Sequence, residues 1–248
     1  MNLLREYTLS GCNVREFDVL DSTNDYMKRA GGAPDKTVAA ALMQTRGKGS
    51  RGRSFHSPDG GLYFSVLLKR GIPVSQAHLL TPAAAVAVAE GLEGVGAENV
   101  GIKWVNDIYI AGKKVCGILT ETQIAPDSRS LAYAVIGIGI NLYEPDGGFP
   151  DDIKNKAGAV FRKGSPALRE WCLESILAAL LKELDSLPGK RFLKEYRSRS
   201  VLLGREVDIL GPTPERGTAV DIDDECRLIV RTATGIRALN SGEVSIKI

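Results

Sequence analysis

Histidine is nearly absent from this sequence: His56 and His78 are the only two. That disfavours a histidine-based metal site. A Ser-His-Asp triad would have to use one of the pair, with no Gly-x-Ser-x-Gly elbow to support it. Cys12, Cys116, Cys172 and Cys226 are widely dispersed and form no Cys-x-x-Cys. They read as reduced thiols of a cytosolic protein, not as disulfides or a zinc site. No apolar run is long and uninterrupted enough to span a membrane and no signal peptide is visible, so the expected compartment is the cytoplasm. A strong charge of one sign is lacking too. The net charge of +2 argues against a polyelectrolyte as the main ligand. Residues 201–248 carry six Lys/Arg against eight Asp/Glu, a balance of −2 that leaves +4 on residues 1–200. With 44% hydrophobic and 25% charged residues, the chain has the make-up of one large globular domain, or one domain with a small appendage.

What the sequence does have is concentrated in residues 44–53, Gln-Thr-Arg-Gly-Lys-Gly-Ser-Arg-Gly-Arg. Gly47, Gly49 and Gly52 alternate with Arg46, Lys48, Arg51 and Arg53 directly after the apolar run Val38–Met43. Glycine lets a backbone approach a ligand closely and take positive φ, so that successive N–H groups can converge on an anion. Arginine adds planar, bidentate donors. A strand feeding such a loop predicts a phosphorylated or carboxylated small molecule. The dinucleotide fingerprint and the P-loop both match it formally, yet each needs a helix to follow. Here turn residues follow, and then the strand-like run Leu62–Leu68. A solvated basic hairpin loop is the bland alternative, and three glycines at this spacing weigh against it.

Val14–Leu20, Val38–Gln44, Gly61–Leu68, Val100–Trp104, Ile108–Ile110, Val115–Thr122 and Leu131–Leu142 read as strands. Ala111-Gly112-Lys113 makes a hairpin turn between two of them. Asp21-Ser22-Thr23-Asn24-Asp25 begins a helix, with Ser22 or Thr23 as N-cap. Ser75–Leu92 is helical around Pro82, so either its first turn is kinked or Thr81 caps a fresh start. Ser165-Pro166 opens another helix, whose stripe Leu173, Ile176, Leu177, Leu180, Leu181 and Leu184 is core packing. Pro188-Gly189 ends it, and a helix over about 190–199 follows. From Val201 the texture changes to short strands, at Glu206–Leu210, Gly217–Asp221, Leu228–Arg231, Ile236–Ala238 and Glu243–Ile248, punctuated by Pro212, Pro214 and Gly235. This suggests a small SH3-like barrel. The expected fold class is α/β (α+β), a mixed β-sheet with helices over residues 1–200 and the barrel over 201–248.

Taken together, an ordered set of motifs resembles biotin protein ligase. Ser22-Thr23-Asn24 is similar to the family's Ser-Thr-Asn after the first strand. Gln44 and Gly47-Lys48-Gly49-Ser50-Arg51-Gly52-Arg53 resemble its basic glycine loop. Lys103-Trp104-Val105-Asn106-Asp107 resembles Lys-Trp-Pro-Asn-Asp, Lys113–Leu119 the segment with its essential lysine, and Gly137-Ile138-Gly139-Ile140-Asn141 its Gly-Ile-Gly-Ile-Asn strand. The resemblance implies a class II synthetase-like catalytic domain followed by the barrel. It also implies activation of biotin by ATP and Mg²⁺ as biotinyl-5′-AMP, then transfer to a lysine of a biotin carboxyl carrier protein. By the same resemblance Ser22, Thr23, Asn24, Gln44, Lys48, Gly49, Ser50 and Lys114 serve biotin. Arg51, Gly52, Arg53, Lys103, Asn106 and Asn141 serve the nucleotide. Lys114, Arg51, Arg53 and Asp107 carry the chemistry, Asp107 by orienting or deprotonating the incoming lysine, and no protein metal ligands are expected.

The physical reading agrees: an anionic nucleophile meets an anionic phosphate, so cations and backbone donors are needed where charge develops, and no general base is. Lys113 and Lys114 point to opposite faces of a regular strand, and alternation alone does not select between them. Three departures stand out. Lys48 and Ser50 occupy arginine positions of the more basic form, so the adenylate is either held more weakly or retained by Arg51 and Arg53. Val105 replaces proline and Phe55 replaces tryptophan. The 21 residues before Ser22 are too few for the DNA-binding domain of bifunctional relatives, so no DNA partner is expected, nor a membrane. A homodimer is compatible with the family. The rival readings are a lipoate protein ligase, and a non-catalytic module that either senses biotin or nucleotide or binds nucleic acid through the barrel, the last opposed by the barrel's charge.

Overall fold

The computed structural model describes residues 1–163, 165–210, 214–240 and 243–245; Pro212 and residues 246–248 of the last expected strand lie outside them. The chain opens with a hairpin absent from the sequence reading. β1 (Leu3–Leu9) pairs antiparallel with β2 (Cys12–Leu20) across Ser10-Gly11, both at positive φ, as a tight primed turn demands. Because β1 is an edge strand and mostly exposed, it lacks the apolar alternation that marks a half-buried strand.

β2 leads through α1 (Thr23–Arg29) into β3 (Thr37–Gln44), which pairs with β2 in parallel, an arrangement that needs a crossover such as this helix. Every other pairing in the sheet is antiparallel. β4 (Leu62–Leu68), β5 (Gly101–Lys103), β6 (Asp107–Ile110), β7 (Lys113–Ile124) and β8 (Leu131–Ile140) complete eight strands in the order β1-β2-β3-β4-β8-β7-β6-β5. The β6–β7 turn falls at Ala111-Gly112, both at positive φ. α1 covers one face of the sheet, over a cluster that includes Phe17, Leu20, Met27, Leu67 and Val135.

The other face carries α2 (Leu80–Gly94) and α3 (Pro166–Asp185), with α4 (Phe192–Ser198) beyond. α2 is buried almost throughout, and its small residues let α3 come close. A Cβ on Gly91 would stand 2.6 Å from Ile176. Neither expected form of its start is realised. A 3-10 turn, Val74–Leu79, runs straight into the helix, no side chain caps it, and the Thr81 hydroxyl instead donates to Thr120 Oγ1 at 2.8 Å. Pro82 is tolerated because its missing N–H falls in the first turn, where no intrahelical partner exists.

α3 starts as expected, with Ser165 Oγ accepting from the Leu168 N–H at 3.3 Å. Ser165→Ala should cost about 1 kcal/mol of stability. Urea unfolding of the two proteins would read this as a lower midpoint at unchanged slope, and an unchanged midpoint would refute it.

Beyond α4, β9 (Glu206–Leu210), β10 (Glu215–Ile222), β11 (Leu228–Thr232), β12 (Gly235–Leu239) and β13 (Glu243–Ser245) form a small antiparallel sheet in the order β12-β11-β10-β9-β13. Its inner residues Val207, Ala219, Leu228 and Val230 belong to the same apolar cluster as α2 and α3. The turn after β10 is tied down by Trp104 Nε1–H donating to the Cys226 carbonyl at 2.8 Å and by Arg197 on Asp224 at 2.7 Å. Among the described residues no helix is long and apolar enough to cross a membrane.

Candidate active site

The site lies on the α1 face of the sheet, where strand register places two rows of residues side by side. Ser65, Gly137 and Leu119 form one row across β4, β8 and β7; Tyr63, Gly139 and Gly117 form the next. The glycines leave the floor bare, and side chains from elsewhere lie down on it. A Cβ on Gly137 would stand 1.9 Å from Asn24 Oδ1, and one on Gly139 2.7 Å from the Phe55 ring.

Around this floor the Ser-Thr-Asn segment and Gln44 close a polar slot of about 20 Å³. Ser22 caps α1 with its side chain, which directs the next two residues inward. Gln44 Oε1 accepts from the Thr23 N–H at 2.8 Å and from its hydroxyl at 3.2 Å, while Gln44 Nε2 donates to Ser57 at 2.9 Å. Ser65 Oγ lies 2.7 Å from Thr23 Oγ1 and 2.6 Å from Asn24 Oδ1. The Asn24 amide is wholly engaged by protein groups, so it shapes the wall. Ser65 and Ser57 escaped the sequence reading; a buried serine inside the apolar run Leu62–Leu68 was the available signal for the first.

The glycine loop bends back on itself as a narrow hairpin. Gly49 N–H donates to the Arg53 carbonyl at 2.7 Å and Phe55 N–H to that of Gly47 at 2.8 Å. Positive φ falls at Arg51 and Gly52, while Gly49 keeps φ −109°. So the left-handed geometry expected of the glycines is partly carried by an arginine. α1 anchors the loop: Lys48 Nζ meets Asp25 Oδ1 at 2.7 Å and Arg46 meets Asp21 at 3.5 Å. The hydrogen-bonding Arg29 guanidinium holds the Asp21 carboxyl at about 2, below its ordinary 3.8. A depressed carboxyl contributes stability that is present above 3.8 and lost as pH falls through about 2. Arg29→Met should therefore be less stable than wild type at neutral pH, with the difference closing over that window. Denaturation curves at stepped acid pH check this, and a gap that stays constant would contradict it.

Beyond Phe55, which lines both spaces, a second cavity of about 120 Å³ is walled by Lys114, Asn141, His56, Phe149, Ile153 and Lys156, among others. The Phe149–Ala157 wall was missed because it has no periodicity; only its run of turn and acidic residues was visible. Asn141 Nδ2 donates to the Gly158 carbonyl at 3.0 Å.

Lys114 reaches this place through an irregularity in its strand. β6 and β7 pair Ile108 with Cys116 and then Tyr109 with Lys114, so Val115 has no partner. The extra residue turns Lys114 to the face of Gly117, where its Nζ ion-pairs with Asp107 at 2.6 Å. Lys113 goes the other way and donates to the Asn155 carbonyl at 2.7 Å. Lys103 packs 5.7 Å from the centre of the Tyr109 ring. Burial lowers its pKa; Asp107 opposes this, and Lys114, Arg53 and Lys156 add to the lowering.

Not every predicted residue joins these walls. Gly49, Ser50, Arg51, Gly52 and Arg53 line neither of these two cavities, and nor do Lys103, Asn106 and Asp107. Asn106 is committed to β7, its Nδ2 donating to the Ile118 carbonyl at 2.7 Å and its own carbonyl accepting from the Ile118 N–H at 3.0 Å. Among the described residues no three His, Cys, Asp or Glu side chains converge as a metal cage.

A polar slot beside a second cavity walled by Lys114 and Lys156, on one face of a mixed sheet, defines an α/β protein with a small-molecule site. The chain belongs to the biotin/lipoate A/B protein ligase family, whose profile matches residues 16–141; the profile of the biotin protein ligase C-terminal domain matches residues 202–247. It is 34% identical over 238 residues to the bifunctional ligase/repressor BirA of Bacillus subtilis, covering 92% of this chain and 72% of that one. To the biotin–[acetyl-CoA-carboxylase] ligase of Paracoccus denitrificans it is 30% identical, over 90% of this chain and 96% of the other. Among solved structures it is similar to the biotin protein ligase of Aquifex aeolicus in complex with biotin and ATP, with a TM-score of 0.78 at 28% identity, over 94% of this chain and 98% of that one.

Proposed function

We propose that the chain is an ATP-dependent biotin protein ligase, which makes biotinyl-5′-AMP and passes the biotinyl group to a lysine of a biotin carboxyl carrier protein. The observation that carries this reading is the hydrogen-bonded slot of Thr23, Asn24, Gln44 and Ser65. A ureido ring offers one C=O and two N–H groups to such a wall. The dithiolane of lipoate offers neither, so it has no hydrogen bonds to exchange with a wall whose groups already pair with one another.

In the first step an oxygen of the biotin carboxylate bonds to the α-phosphorus of ATP, and the bond to the pyrophosphate oxygen breaks. Both reactants are anionic, so the residues must offset their repulsion. Lys114, held in place by Asp107, stands where the two cavities meet around Phe55. Lys48 lines the slot, and Ser50, Arg51, Arg53 and the Gly49 and Gly52 backbone, which line neither cavity in this structure, would close on the anion from the loop. Lys103, crowded among cations, gains from a polyphosphate neighbour. The nucleotide occupies the cavity of Asn141, Phe149 and Lys156, with Asn106 supporting β7 from behind. No proton moves in this step, which fits a chain with two histidines. In the second step the acceptor amine bonds to the acyl carbon, the bond from that carbon to the phosphate oxygen breaks and AMP leaves, with Asp107 orienting the amine or taking the proton it gives up. Mg²⁺ does not fit the described side chains as a protein-held ion, so it would arrive on the triphosphate oxygens.

The same proposal divides the chain near residue 200, between α4 and β9, and places it in the cytoplasm. The test is biotin-dependent exchange of pyrophosphate into ATP, run beside lipoate. Exchange with biotin alone supports the reading. Exchange with lipoate alone moves the chain to the other branch of its family, and none with either acid leaves a sensor.

A further inference from the structure

Glu121 was not among the residues singled out by sequence, and the first-step chemistry makes no use of it. It follows Gly117 and Leu119 on β7, so it shares their face of the sheet. Its two carboxylate oxygens are divided. Oε2 accepts from Asn24 Nδ2 at 2.9 Å, and Oε1 pairs with Lys28 Nζ at 2.6 Å. Lys28 in turn lies 3.0 Å from Asp25, which also holds Lys48 of the glycine loop. We propose that Glu121 is a positioning residue that fixes the hydrogen-bond polarity of the biotin slot, acting through Asn24. The proposal deepens the biotin reading above and rests on it.

One chain of groups links Glu121 to the slot. A carboxylate only accepts, so the group facing it must be the NH₂ end of Asn24. The Leu119 carbonyl, which Asn24 Nδ2 reaches at 3.2 Å, demands the same orientation. Asn24 Oδ1 is thereby turned to Ser65 and takes the serine proton at 2.6 Å. Ser65 has one proton, so it accepts from Thr23 Oγ1, 2.7 Å away, only when Thr23 turns its own proton from Gln44 Oε1 toward Ser65. Asn24 is 4% exposed and Ser65 fully buried, so water does not compete for either group. Glu121 and the Leu119 carbonyl thus act together to hold Asn24 Oδ1 toward Ser65. With Gln at 121 the neighbour can donate as well as accept, only the Leu119 carbonyl still fixes the amide, and the preference for Oδ1 toward Ser65 weakens. A slot that recognises a ureido ring by paired donors and acceptors then presents its proper polarity for a smaller share of the time.

Calorimetric titration of biotin into the full-length protein tests this. Glu121→Gln is expected to weaken biotin about tenfold or more, while the KM for ATP in the exchange assay stays at the wild-type value. The preference for biotin over lipoate narrows in the same variant. Glu121→Asp, which keeps a neighbour that only accepts, should retain more affinity than Glu121→Gln, which a merely structural Glu121 would not show. Ser65→Ala, which breaks the array one group further on, weakens biotin as well. Unchanged biotin affinity in Glu121→Gln or in Ser65→Ala overturns the proposal and leaves the ligase reading standing. So does an equal loss for biotin and ATP, or a Glu121→Asp variant no better than Glu121→Gln. A wild-type protein that fails to bind biotin at all instead refutes the ligase reading.

Discussion

Lys114→Ala is expected to lower biotin-dependent pyrophosphate exchange by about 10²–10³-fold, the range seen when one preorganised donor is removed from a developing charge. Three observations set that size. Lys114 Nζ is fixed by Asp107 at 2.6 Å, so its position before reaction is already that of a stabilising charge. It lies over Gly117 beside the Phe55 ring, between the slot and the second cavity. Burial lowers the Lys103 pKa, and Lys114 and Arg53 add to the lowering, so positive charge is concentrated where a polyanion would arrive. Lys113→Ala is the control, since that side chain turns away to the Asn155 carbonyl and should change exchange little. Lys114→Ala also leaves Asp107 without its cation, so circular dichroism and a melting curve must accompany the assay. A folded variant retaining exchange within a few-fold of wild type would remove Lys114 from the chemistry.

Gly137→Ala, a change of one methyl group, should weaken biotin by roughly 10–100-fold, equivalent to one or two lost hydrogen bonds. The added Cβ would stand 1.9 Å from Asn24 Oδ1 and 2.7 Å from its Cγ, so the amide must move. Asn24 has no slack, being held by Ser65 on one side and by Leu119 and Glu121 on the other. Displacing it breaks the slot wall, while the strand pairing of β8 with β4 and β7 is untouched. Overpacking should cost about 1–3 kcal/mol of stability as well. Calorimetry with biotin, paired with a thermal melt, separates the two effects. Wild-type affinity in the variant would mean that Asn24 does not shape the slot.

How much of this could be read from the sequence depends on what each feature leaves in the pattern. Thr23, Asn24 and Gln44 were legible as site residues through the resemblance of their motifs, while local signatures alone gave only a helix cap and a strand end; the structure brings all three to one slot. The glycine loop was legible as a binding loop from composition alone. β1 was not, because an exposed edge strand has little burial to alternate. Ser65 and the Phe149–Ala157 wall were not, because what they line is set by neighbours far away in the chain. Glu121 looks like any surface carboxylate until β7, β8 and α1 are laid together. Lys113 and Lys114 do point to opposite sides, as alternation predicts, but which of them faces the slot was not legible from pattern, because the irregularity at Val115 breaks the parity that would link them to Gly117 and Leu119.

That irregularity gives β7 two phases. From Lys113 to Val115 the strand keeps one parity, and from Cys116 onward it keeps the other, with Val115 and Cys116 both buried in the same core. Lys114, an even-numbered residue, therefore shares a face with odd-numbered Gly117, Leu119 and Glu121. Removing Val115 would merge the two phases: Lys114 would keep the face of Gly117 but stand one residue closer to it along β7, without a single functional side chain being altered. The spacing between Lys114 and the bare floor is thus encoded as a residue count, which makes it sensitive to a deletion in a way that no substitution at Val115 would reproduce.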